Sequence, residues 1–143
     1  MLTSNGELFW GFVVLGIAIL LGVLAYSSFK KEKGTPKTQK KTEPALCGVG
    51  GAHDGALIPL REPLILGRDS GCCNVVLPAG SKGISGVHCK VSCAEGRVEL
   101  TDLGSTYGTF LENGERLTPH VPYCIERGGS FYLADRKYTY RVC

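Results

Sequence analysis

Few side chains in this sequence have the types and spacing that a reaction requires. The three histidines, His53, His88 and His120, have no nucleophile or carboxylate at a recognisable catalytic distance along the chain. No phosphate-cradling P-loop and no metal-ligand motif occurs, so neither catalysis nor a cofactor is expected. His53-Asp54-Gly55 reads as a turn between two early strands. Seven cysteines (Cys47, Cys72, Cys73, Cys89, Cys93, Cys124 and Cys143) are an odd number without regular CxxC pairs. That pattern fits neither a disulfide framework nor a zinc ribbon. Reduced thiols are the expectation, with Cys89 and Cys93 as small core hydrophobes. What is left is the chemistry of binding. Arg68 presents a planar fork of donors after Gly67, and Ser85 places a hydroxyl three residues before His88. Taken singly, such an arginine is usually a surface charge and such a pair is usually chance.

The elements that must position these groups read as strands. From Ala45 on, no window carries apolar residues at helical spacing, and alternation takes its place. Val87-His88-Cys89-Lys90-Val91-Ser92-Cys93 is apolar at every odd position and polar at every even one, which predicts one buried and one wet face. Arg97-Val98-Glu99-Leu100 and Lys137-Tyr138-Thr139-Tyr140-Arg141-Val142 alternate likewise. Leu64-Ile65-Leu66 and Val75-Val76-Leu77 are short apolar runs suited to strands covered on both sides. Turn residues punctuate the series at Asp69-Ser70-Gly71, Pro78-Ala79-Gly80, Ala94-Glu95-Gly96 and Gly128-Gly129. Asn113-Gly114 predicts a hairpin, since both residues tolerate positive φ. About ten or eleven short strands in residues 45–143 predict an all-β, two-sheet sandwich with its recognition loops gathered at one end.

Three segments, in order, resemble the signature of the forkhead-associated (FHA) family. They are Leu66-Gly67-Arg68-Asp69, then Gly83-Ile84-Ser85-Gly86-Val87-His88, then Thr101-Asp102-Leu103-Gly104-Ser105-Thr106-Tyr107-Gly108-Thr109-Phe110. The second is similar to the family's Ser-x-x-His, and the third to its D-L-G-S-x-N-G-T. The likeness covers essentially residues 45–143, and the wording looks most like bacterial members.

The resemblance implies a reader of phosphothreonine, whose phosphate brings close to two negative charges and several acceptor oxygens. It implies Arg68 and Ser85 as the principal phosphate ligands, with Thr106 assisting. Gly67 would let the chain leave its strand at a tight angle, His88 would brace the loop that presents Ser85, and Ser105 would support the third loop. The family selects threonine over serine by packing the extra methyl, a gain of about 0.8 kcal/mol. Two positions depart from the pattern. Tyr107 stands where the family usually carries an Asn that holds the peptide main chain. Gly86 stands where many members carry an arginine; Lys82 or Lys90 could replace that contact, or remain solvated surface charges.

Ahead of the domain lie three shorter pieces: residues 1–7, a charge-free run at 8–26, and a linker at 27–44. The nineteen residues LFWGFVVLGIAILLGVLAY would rise about 28 Å as a helix, close to the hydrocarbon thickness of a bilayer. Trp10 and Tyr26 sit near its ends, at the headgroup level. A cleaved signal peptide would want positive charge before the run, but the leading residues carry Glu7 and no Lys or Arg. Lys30, Lys31, Lys33, Lys37, Lys40 and Lys41 come after it, which predicts an outside N-terminus and a cytoplasmic domain at the cell membrane. Ala18 and Gly22 form a small-xxx-small pair that could support weak self-association. The linker is polar, with two prolines, and as a coil would span about 23 Å.

The formal net charge of +3 belongs to that linker, because residues 45–143 hold ten basic and ten acidic side chains. Nucleic acid is therefore not an expected partner, and the lysines read as a membrane feature. The expected function is a membrane-anchored, non-catalytic adaptor that captures threonine-phosphorylated proteins in kinase-linked signalling or assembly. The alternative is an FHA-fold scaffold making phosphate-independent contacts, centred on Tyr107, in a membrane complex.

Overall fold

The computed structural model describes residues 42–143. The expectations for residues 1–41, including the transmembrane helix over 8–26, lie outside the described residues. Among the described residues no helix is long and apolar enough to cross a membrane.

Wherever apolar and polar residues alternate, the chain pairs with a neighbour. Ten strands form: β1 (Ala45–Gly48), β2 (Leu57–Pro59), β3 (Leu64–Gly67), β4 (Val75–Val76), β5 (Cys89–Ala94), β6 (Arg97–Asp102), β7 (Thr109–Leu111), β8 (Tyr123–Ile125), β9 (Ser130–Leu133) and β10 (Thr139–Val142). One five-stranded sheet has the order β2-β1-β10-β9-β7 and the other β4-β3-β5-β6-β8. All pairs are antiparallel except β3 with β4. The two-sheet, all-β architecture expected from the alternation is the one observed.

The core lies between the sheets. Leu66, Cys89, Val91 and Leu100 face it from one sheet, and Leu46, Phe131, Leu133, Tyr140 and Val142 from the other. Phe131 and Tyr140 are cross-strand partners with stacked rings 5.7 Å apart. Burying a side chain of this size contributes about 1.5–3 kcal/mol. The Tyr140 hydroxyl meets Nδ1 of His53 at 2.8 Å, so the expected His53 turn, a single 3-10 turn at Gly51–His53, is tied to the core. The unit Thr42–Cys143 encloses this core by itself.

Register fixes the two ends of the sandwich. Thr109 pairs with Leu133 and Cys89 with Asp102, so the loops after β3, β4, β6 and β9 share one end. The chain enters at the other end. Ala45 exchanges both backbone hydrogen bonds with Cys143, and Arg127, which follows β8, donates to the Thr42 carbonyl.

The structure corrects several expectations. Cys47 and Cys143 form a disulfide, because β1 and β10 are antiparallel neighbours and bring their Cα atoms to 6.3 Å. Cys93 is exposed rather than core, since the end of β5 runs past the sandwich. Ile65 is half-buried and Val76 exposed, so only one face of β3 and β4 is covered. His88 precedes β5 and is wholly buried instead of lying on a wet face. At the Asn113-Gly114 turn only Gly114 adopts positive φ, and the return strand is reduced to one bridge between Phe110 and Arg116.

Candidate functional site

Arg68 follows directly on β3, and the chain must place it against the loop that carries Ser85. The backbone does this. Arg68 N–H donates to the Ser85 carbonyl (3.2 Å) and Asp69 N–H to the Gly86 carbonyl (2.9 Å), so residues 85–86 run alongside 68–69. Gly67 is what permits the approach: a Cβ there would lie 2.1 Å from the Gly86 oxygen and 2.9 Å from Cys73 Sγ. Its φ is not in the left-handed region, so close packing, not the tight exit angle expected from sequence, explains the glycine. The Arg68 guanidinium then turns onto the same loop. Nε donates to the Ile84 carbonyl (2.5 Å) and one terminal nitrogen to the Ala79 carbonyl (3.1 Å). Arg68 is exposed and has no ion pair among the described residues. A cation braced by carbonyls, with donors to spare, is poised for an anion.

Ser85 is the junction between two loops. Its Oγ accepts from the Thr106 amide at 3.1 Å, which leaves the hydroxyl proton to donate elsewhere. Its own N–H donates to Nδ1 of His88 (3.0 Å). An acceptor Nδ1 fixes the proton on Nε2, which donates to the Gly108 carbonyl at 3.0 Å. His88 thus ties the Ser85 loop to the loop bearing Thr106. Burial lowers its pKa, against opposing effects from the Gly108 carbonyl and the charge of Asp102. The neutral ring is the one that can both accept and donate.

The loop between β6 and β7 is locked by a buried carboxylate. Asp102 accepts from the amides of Gly104 (3.0 Å) and Ser105 (2.9 Å) and from the hydroxyls of Ser105 (2.6 Å) and Thr109 (2.7 Å). Ser105 Oγ in turn accepts from the Gly108 amide at 3.0 Å. Burial raises the carboxyl pKa, but these hydrogen bonds outweigh it and the net shift is downward. Gly104, Thr106 and Tyr107 are the residues this frame leaves exposed.

Of the residues expected at a site, Arg68, Ser85 and Thr106 come together, with Gly67, His88 and Ser105 supporting them. Gly86 contributes its carbonyl, and Tyr107 stands beside Thr106. Lys82 is exposed on the Ser85 loop, whereas Lys90 is half-buried within β5. Sequence reasoning missed Asp102 as the hub, although an aspartate just before Gly104-Ser105 signals an Asx turn. It also missed Arg116, which reaches the Thr106 carbonyl at 3.5 Å from across the hairpin. No local pattern marks that residue. Two clefts lie elsewhere. One of about 380 Å³ is lined by Leu111, Glu112, Tyr123, Cys124 and Glu126 at the opposite end of the sandwich. A tetrahedral anion is held by charge and directed donors, so these carry more weight here than cleft size.

The comparisons fall on the same segment. The FHA domain family model matches residues 64–134. The chloroplastic zeaxanthin epoxidase of Spinacia oleracea is 34% identical over 90 residues, 57% of this chain but only 13% of that protein. Among solved structures, the FHA domain of the CT664 protein from Chlamydia trachomatis matches with a TM-score of 0.61 at 22% identity, over 71% of this chain and 96% of that one. Another, from work on phosphothreonine-dependent FHA domain interactions, has a TM-score of 0.56 at 26% identity, over 71% and 95% of the two chains. With that match spanning all three loops that meet at Ser85, this chain carries an FHA domain.

Proposed function

We propose that this protein is a membrane-anchored adaptor that captures threonine-phosphorylated proteins, acting in Ser/Thr-kinase-linked signalling or assembly. An FHA domain is an interaction module, and catalysis has no place in the role. The observation that carries it is the guanidinium of Arg68 held on the same loop as the Ser85 hydroxyl, whose proton is uncommitted. Together they offer charge and a directed donor to a phosphate, and the Thr106 hydroxyl lies within the same cluster of loops. The interactions of the 26%-identical neighbour depend on phosphothreonine, which supports the ligand.

Anchoring is supported by the charge-free residues 8–26 and the lysines after them, which favour a cytoplasmic domain at the cell membrane. The described fold suits a tethered reader. Within residues 42–143, Thr42 lies at one end of the sandwich and Arg68 and Ser85 at the other.

The test is a titration of residues 42–143 with a phosphothreonine peptide library and its unphosphorylated counterpart. Selective binding of the phosphorylated set is expected. Equal binding would abandon this role in favour of a phosphate-independent scaffold.

A further inference from the structure

Each sheet of the sandwich has two outer strands, and three of these four are closed against pairing. β2 ends in Pro59, which has no amide proton to offer. β4 is two residues long. β7 is covered by the chain's own return, Leu111 N–H donating to the Glu115 carbonyl and Leu117 N–H to the Thr109 carbonyl, both at 2.9 Å. β8 is the fourth. Tyr123, Cys124 and Ile125 pair with β6 on one side, and among the described residues their backbone makes no hydrogen bond on the other. The strand carries no charge and no proline, so it lacks the usual guards against strand addition.

The surroundings define what this edge would take. Val121 and Tyr123, two of the six large exposed apolar side chains among the described residues, stand beside it. The cleft of about 380 Å³ next to β8 is lined by buried Leu111 and Ile125 and carries Glu112 and Glu126. Neither carboxylate has an ion pair among the described residues. Cations are near, since Arg97 and Arg127 share the second cleft with Glu126, but each is held elsewhere. Arg127 donates to the Thr42 carbonyl and Arg97 to Glu95. Arg136 reaches the main-chain carbonyl of Glu112 at 3.4 Å, not its carboxylate. The bare edge therefore borders a cleft whose negative charge is uncompensated.

We propose that β8 accepts an extended segment of a partner protein as an added strand, and that this segment is cationic, its Lys or Arg side chains meeting Glu112 and Glu126. Main-chain hydrogen bonds supply the attachment, and side chains two residues apart on the added strand reach the same face. Tyr123 offers a ring face to such a cation or to its aliphatic stem. The surface lies away from Arg68 and Ser85, so it requires no phosphate and stands independently of the role proposed above.

The experiment is an NMR titration of residues 42–143 with three unphosphorylated peptides: alternating Val and Lys, alternating Val and Glu, and the Val-Lys peptide N-methylated along both edges. The Val-Lys peptide should shift the amides of Tyr123, Cys124 and Ile125 and bind about fivefold tighter than the Val-Glu peptide. The methylated peptide, which cannot donate to a strand, should shift none of them. Glu112→Gln with Glu126→Gln should bring the first two peptides to within about twofold; both residues are exposed, so the fold should persist and its spectrum should stay dispersed. Arg68→Ala should change none of these results. Equal binding of the methylated peptide overturns strand addition, and equal binding of the Lys and Glu peptides overturns the cationic partner. Shifts elsewhere, or binding lost with Arg68→Ala, overturn the location. Movement of the β8 amides with protein concentration alone would give the edge to a second copy of this chain and overturn the proposal.

Discussion

The two ends of this sandwich are held by different means. At the loop end, no covalent bond joins Arg68, Ser85 and Thr106; a polar lattice through His88 and Asp102 does so, with each buried donor matched to an acceptor. At the end where the chain enters, a disulfide between Cys47 and Cys143 closes β1 onto β10, and clefts open beside β8. One end is cross-braced by hydrogen bonds and carries the exposed Arg68 cation. The other is cross-linked and concave, with both Glu112 and Glu126 at its larger cleft. A polar lattice fixes hydroxyls and amides in direction, which a phosphate demands, whereas a cross-link only limits how far the chain can open.

Breaking each end separately should therefore give different phenotypes. The largest effect is expected from the disulfide, which closes a separation of 96 residues. Cys143→Ser should lower stability by about 4 kcal/mol, seen in denaturant melts, with little change in peptide affinity. Disulfides are rare in the cytoplasm, yet the lysine flank favours a cytoplasmic domain. Alkylation of the protein as it leaves the cell decides between these: a cytoplasmic domain should have both thiols labelled.

Next in size is Asp102→Ala. It strands the buried Ser105 and Thr109 hydroxyls and should cost about 3 kcal/mol of stability, together with most of the binding. If affinity survives in the folded variant, the lattice is not what positions Thr106.

Acid should act on the same end. Burial depresses the folded pKa of His88, so its contribution is full above the unfolded value of about 6.5 and is lost as pH falls through the depressed one. A protonated ring can no longer accept from the Ser85 amide. Asp102, also depressed, gives up its share below about pH 4. Stability should stay flat from pH 8 to 7 and fall in acid, and His88→Ala should remove the higher of the two transitions. A profile unchanged by that substitution would contradict the bracing role.

The smallest change sharpens the site instead of breaking it. A side chain at Gly86 would meet only the Asp69 Cβ, at 3.8 Å, and the backbone there is ordinary. Gly86→Arg should tighten phosphopeptide binding up to about fivefold, a modest gain because the added cation is exposed.

The strands were legible in the sequence because period-two alternation follows burial, as Tyr140 and Val142 against Arg141 show. Where a strand is short or at an edge the pattern misled: Val76 and Cys93 look like core but sit where the sheet runs out. The site was legible through three spaced motifs, so Arg68, Ser85 and Thr106 could be named. Their bracing was less so. Arg116 reaches the site through tertiary pairing, which no local spacing encodes. The Cys47–Cys143 bond was hidden for the same reason, since only the β1–β10 register brings the two together.

The most direct measurement is a residue-resolved NMR titration of residues 42–143 with a phosphothreonine peptide. The amides of Arg68, Ser85 and Thr106 and the Arg68 side-chain Nε–H should shift first, and Arg68→Ala should weaken binding at least tenfold. Shifts confined to Glu112, Tyr123 and Glu126 at the opposite end, or binding indifferent to the phosphate, would contradict the account.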